Sequence, residues 1–169
     1  FMKTCIENND LILDKSDKYD VVIIERRINK AISTTEFGQN KYTEIMKTSG
    51  AERRSIINHD EFVEKIKSMY PNKKVINVSL EFMPIFEQYH LFHNTTMLIA
   101  QHGASLGQII FMRPNTYVIE IVSKLKQKEN WFMPISNVCG INHYQYITDE
   151  EHTIIDVDDF KNFVVGLKK

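Results

Sequence analysis

The sequence predicts an α/β fold in three layers, with helices on both faces of a mainly parallel sheet, and three observations predict it. Short runs of strand length recur along the chain, at Tyr19–Glu25 and at residues 74–80, 97–100, 117–122 and 143–147. Segments with helical periodicity and capping residues stand between them, and strands alternating with helices imply parallel pairing through right-handed crossovers. The third observation is size. A chain of 169 residues suits one domain that buries roughly 70% of its unfolded surface, with no need of disulfides or a metal.

Residues 5–13 have no clean period and read as an early strand or loop feeding the sheet. Tyr19–Glu25, YDVVIIE, is a buried strand, four consecutive β-branched residues bounded by charge, with Arg26 and Arg27 directly after it. Residues 29–50 are rich in Ser, Thr, Asn, Gly and Lys and read as a long mobile loop, a length usually tied to function or disorder. Asn58 or Asp60 caps a helix whose apolar face is Phe62, Val63, Ile66 and Met69, and Pro71 and Asn72 end it. After the strand at 74–80, Pro84 suits the first turn of a helix over 84–94 that buries Ile85, Phe86, Tyr89 and Phe92.

The centre of the chain is MLIAQHGASLGQIIFMRPNTYVIE, residues 97–120. It predicts a strand to Ala100, a small-residue corner at 101–105, a helix over 106–112 stopped by Arg113, Pro114 and Asn115, and a strand carrying one acid, Glu120. A short helix at 131–139 ended by Gly140, the strand at 143–147 and a closing helix at 158–167 complete the order. Nothing marks an internal repeat or a boundary, so residues 1–169 read as a single Rossmann-like domain.

Composition excludes several classes. Hydrophobic residues at 43% and charged residues at 25% are ordinary globular values, and a net charge of -1 argues against a broad basic face for nucleic acid. Cys5 and Cys139 form neither a disulfide framework nor a metal knuckle, which favours a reducing, cytoplasmic compartment. No apolar run approaches the ~18 residues of a membrane span. Phe1 ahead of Met2 reads as the edge of a longer chain, and a removed targeting segment would leave the secretory pathway open.

The corner at His102, Gly103, Ala104 and Ser105 is the best functional signal. It joins a buried strand to a helix start, where free N–H groups and the helix dipole favour anions, so it suits the diphosphate of a nucleotide-linked ligand. Its bland reading is a tight turn, with His102 on a backbone carbonyl. Arg26 and Arg27 stand on the same rim and match phosphate geometry, although neighbours in an extended segment point to opposite sides, so one of them faces the ligand. Arg53 and Arg54 follow the long loop and either close over the same site or, the favoured reading, are solvated loop charges. Glu120 accepts from sugar or ribose hydroxyls or else pairs in the interior with Arg113.

Asp156, Asp158 and Asp159 precede a helix and read as caps rather than as a metal site. His90 and His93 lack Cys or acid partners at metal spacing. Asn77 and Asn94 begin glycosylation sequons, with Asn77 inside a predicted strand. No glycine-rich dinucleotide fingerprint, P-loop or nucleophilic triad is present.

The order of these motifs resembles the carboxyl-terminal half of glycosyltransferase family 61. The similarity runs over residues 19–146 and rests on VVIIERR, RRSIINHDEF, FEQYHLF with Gln88, and AQHGASLGQIIFMRPNTYVIEI. The family's corner is His-Gly-Ala-Gly-Leu-Thr-Asn. His102, Gly103, Ala104, Leu106, Phe111, Pro114, Ile119 and Glu120 match in place, whereas Ser105 replaces Gly and Gly107 and Gln108 replace Thr-Asn. The resemblance implies the donor half of a two-domain B-type transferase, an inverting mechanism, a UDP-linked sugar donor, a glycan or protein hydroxyl as acceptor, and no required metal. The implied donor site is Arg26, Arg27, Gln88, His102, Gly103, Ala104, Ser105 and Glu120. The general base is unassigned, because in such folds it commonly belongs to an amino-terminal acceptor domain. The alternative is a noncatalytic nucleotide-sugar-binding or assembly module with the same fold.

Overall fold

The computed structural model describes residues 18–26, 54–81 and 83–167. The expectations for residues 5–13 and 29–50, and for Arg27 and Arg53, lie outside them. Five strands form one parallel sheet: β1 (Tyr19–Glu25), β3 (Val75–Ser79), β4 (Thr95–Gln101), β5 (Tyr117–Ser123) and β6 (Asn142–Thr148), in the order β3-β1-β4-β5-β6. Two short strands, β2 (Ser55–Ile56) and β7 (His152–Thr153), pair in parallel beside it. The helices are α1 (His59–Met69), α2 (Ile85–His93), α3 (Phe132–Cys139) and α4 (Val157–Gly166). No helix among the described residues is long and apolar enough to cross a membrane.

Side-chain alternation along the strands builds two cores. Val22, Ile24, Leu98, Ala100 and Val118 face one way and pack with Tyr89 and Phe92 of α2, Leu106 and Ile109, and partly buried Phe132 and Ile135 of α3. Val21, Ile23, Ile99, Ile119 and Ile121 face the other way and pack on Phe62 and Ile66 of α1 and Phe160 and Val164 of α4. Phe62 meets Phe160 edge-on at 4.8 Å, which closes the α1/α4 layer. Each fully buried aliphatic or aromatic side chain contributes roughly 1.5–3 kcal/mol, so these two faces supply most of the driving force for the layer arrangement.

Two predicted elements take other forms. Residues 106–112 do not make an α-helix. The chain instead runs as a 3₁₀ helix over Ala104–Phe111, starting straight from the corner. Leu106 and Ile109, three residues apart and both fully buried, anchor it by lying on one edge, as a three-residue turn requires. Asn58 does not cap α1 with its side chain. It spends both ends of its amide on Ile155, donating to the carbonyl at 2.9 Å and accepting from the N–H at 2.9 Å, and so pins the start of α1 to the segment before α4. Asp156 does cap α4, accepting from the N–H groups of Asp158 and Asp159 at 3.0 Å each.

Candidate functional site

The strand order reverses between β1 and β4, and open α/β sheets hold ligands beyond the carboxyl ends of strands at such a reversal. β1 delivers Glu25 and Arg26 there. β4 ends at Gln101 and the corner follows. Gly103 has φ of +147°, a conformation L side chains rarely adopt, and a Cβ on it would stand 2.1 Å from Arg26 Nη2 and 2.9 Å from Arg54 Nη1. Glycine is therefore required for the turn and for the close approach of two guanidinium groups.

Arg54 corrects its reading as a solvated loop charge. Its side chain is only 13% exposed, Nη1 donates to the His102 carbonyl at 2.7 Å, and Nε bonds Glu151 Oε1 at 3.0 Å. The β2–β7 pairing holds it there: the Ser55 N–H donates to the Glu151 carbonyl at 3.1 Å, and Gln101 Nε2 reaches the same carbonyl at 2.8 Å. A two-residue strand has no period, so only the RRS sequence itself pointed to this position.

A cavity of about 420 Å³ opens on the α2 side of the corner, with Arg26, Arg54, Glu81, Gln88, Ala104, Ser105 and Gln108 in its walls. Gln88 is held in place by donating to the Met83 carbonyl at 2.7 Å. The Ser105 hydroxyl is buried and has no hydrogen-bond partner among the described residues, so it is suited to a bound polar group. Burial pushes the Glu81 carboxyl up, against the opposing pull of Arg26. Glu25 shares these walls, so the cavity offers guanidinium donors to an anion and carboxylate acceptors to hydroxyls.

His102 turns its ring away from that cavity. Its Nδ1 lies 2.5 Å from Glu120 Oε1 and its Nε2 3.9 Å from Glu129 Oε2, with the ring edge-on to Phe132. Glu120 does not reach the crevice and does not pair with Arg113. It is 1% exposed, and its second oxygen accepts from His143 Nε2 at 3.1 Å and Gln145 Nε2 at 2.9 Å. Burial alone would push this carboxyl up; the hydrogen bonds from His102, His143 and Gln145 outweigh it and hold the group at about 2. His143 is fixed in turn by the Ser136 hydroxyl at 2.7 Å. The arrangement commits His102 Nδ1 to Glu120 and leaves Nε2 as the outward atom. His143 and Gln145 were readable in principle, since alternate residues of β6 share a face with Glu120.

Of the expected site residues, the structure thus brings Arg26, Gln88, Ala104 and Ser105 to one cavity around Gly103, and places His102 and Glu120 behind the corner. The glycosyltransferase 61 family matches this chain over residues 9–119, which span β1, α1, α2, the corner and the start of β5. The chain belongs to glycosyltransferase family 61. A mouse relative, EGF domain-specific O-linked N-acetylglucosamine transferase, is 28% identical over 94 residues, which is 55% of this chain and 17% of the mouse protein. The chain thus spans less than a fifth of that relative's length. Of the three departures from the family 61 corner, Ser105 and Gln108 put side chains on the cavity wall, while Gly107 faces open space in which a larger side chain would fit.

Proposed function

We propose that this chain is the donor-binding domain of a glycosyltransferase, holding a nucleotide-linked sugar, UDP-linked, for inverting transfer to an acceptor hydroxyl. The observation that carries the reading is the convergence of Arg26 and Arg54 over Gly103 at the strand-order reversal. Two guanidinium groups against a glycine turn suit a diphosphate, and their charge stabilises it as it leaves, so no metal is required. The carboxylates and amides of the same cavity suit sugar hydroxyls. Glu120 acts through His102 as a positioning residue, fixing the imidazole at the base of the corner.

An inverting transfer also needs a base within reach of the acceptor hydroxyl, and a second domain would supply it. The mouse relative is named for transfer of N-acetylglucosamine to EGF domains, which makes a protein hydroxyl the first acceptor class to try. Calorimetric titration with UDP-N-acetylglucosamine, UDP and GDP tests the reading. Saturable UDP binding that survives a chelator and weakens roughly tenfold or more in Arg26→Ala is expected. Heat with none of these ligands at a folded protein would refute it. Product formation by a protein that joins this chain to the proposed acceptor domain separates a transferase from the noncatalytic binding module.

A further inference from the structure

The end of β1 divides the crevice in two. The larger cavity lies on the α2 side, and a second one, of about 300 Å³, lies on the α1 side with Ile24, Ile56, Ile57, Glu25, Arg26 and His59 among its walls. Ile24, Glu25 and Arg26 belong to both, so the two spaces meet at the arginine that the proposed function assigns to phosphate. The second cavity differs in chemistry. Ile56 and Ile57 supply an apolar wall, and Ile57, 63% exposed, stands at its mouth.

Against that wall one carboxylate is held in a fixed pose. Asn77 Nδ2 donates to Glu25 Oε2 at 2.6 Å, Asn77 Oδ1 lies 3.0 Å from His59 Nε2, and His59 Nε2 is 3.8 Å from the same Glu25 oxygen. The three residues come from β1, β3 and α1, and His59 is nearly buried. Asn77 stands in the middle of β3, between Ile76 and Val78. A polar relay kept at a strand end beside a cavity orients the carboxylate. A carboxylate accepts from two adjacent hydroxyls at once, and an apolar wall beside it covers a flat ring.

We infer that the nucleoside of the donor occupies this second cavity, its ribose hydroxyls on Glu25 and its base against Ile56 and Ile57, while the diphosphate crosses Arg26 and the sugar enters the larger cavity. The inference rests on the proposed function and assigns each half of the ligand a side of β1. Its volume is at the low end of the roughly 300–1,000 Å³ of ligand sites, which suits a nucleoside better than a whole nucleotide-sugar.

Calorimetry with UDP, 2′,3′-dideoxy-UDP and inorganic pyrophosphate tests it on the wild-type chain, Glu25→Gln and Ile57→Trp. UDP should bind roughly ten- to hundredfold more tightly than the dideoxy compound to the wild type, and that preference should vanish in Glu25→Gln. Ile57→Trp, a change at an exposed position, should exclude UDP and leave pyrophosphate affinity unchanged. UDP and its dideoxy analogue binding alike to the wild type, or both variants binding UDP as the wild type does, overturns the inference while leaving the Arg26 reading intact. If no nucleotide binds the wild type at all, both fall together.

Discussion

Gly103 separates two polar regions finished in opposite ways. Toward β5 and β6, the side chains of Glu120 and His143 are almost fully buried, and the chain of contacts from Ser136 through His143 and Glu120 to His102 leaves neither Glu120 oxygen without a donor. Toward α2, the cavity walls carry two arginines and two acids, and the Ser105 hydroxyl has no partner among the described residues. A closed network contributes to stability and fixes orientation, whereas polar groups facing an unfilled space contribute to binding. Substitutions on the two sides should therefore separate stability from affinity.

The largest stability effect should come from Glu120→Ala, which strands two buried histidines and should cost about 3–5 kcal/mol in urea unfolding. A loss below about 1 kcal/mol would show that the network is not closed. The pH dependence sharpens the point. Glu120 titrates at about 2 when folded against an ordinary value of 4.5, so the unfolded chain takes up this proton first as pH falls. Its contribution, on the order of 3 kcal/mol, is full above about pH 4.5 and disappears toward pH 2. The stability difference between the wild type and Glu120→Gln should shrink over that window; a constant difference contradicts the assignment.

Gly103→Ala sits on the boundary and should affect both properties. It forces a side chain into a strained backbone and into Arg26, so about 1–3 kcal/mol of stability should be lost together with nucleotide affinity. Asp156→Ala, at the start of α4 and in the walls of neither cavity, should lose about 1 kcal/mol by removing the α4 cap and leave affinity untouched. Affinity loss in that variant would show that the crevice responds to global stability rather than to its own residues.

The layers and the corner were legible because strand runs such as VVIIE and MLIA carry their burial in composition, and because small residues between a strand and a helical segment have few other uses. The site was legible only in part. Arg26 and Ser105 follow from position at strand and helix ends and Gln88 from the family resemblance, but Arg54 is held through a two-residue pairing with a segment 97 positions away, which no local pattern encodes. Glu120 signalled itself as an acid in an apolar strand. Its partners lie on a neighbouring strand and beyond the end of another, and register across a parallel sheet is a tertiary property. The second cavity was invisible for the same reason, since Glu25, Asn77 and His59 meet only once β1, β3 and α1 are packed.

The central claim is that the guanidinium pair over Gly103 holds a diphosphate. Titrating UDP into the wild type, Arg26→Ala and Arg54→Lys tests it most directly, with each melting temperature measured alongside. The account predicts saturable binding to the wild type, a loss of roughly tenfold or more in Arg26→Ala with little change in melting, and a smaller loss in Arg54→Lys, which keeps the charge but not the fork. UDP affinity unchanged in both variants would contradict it.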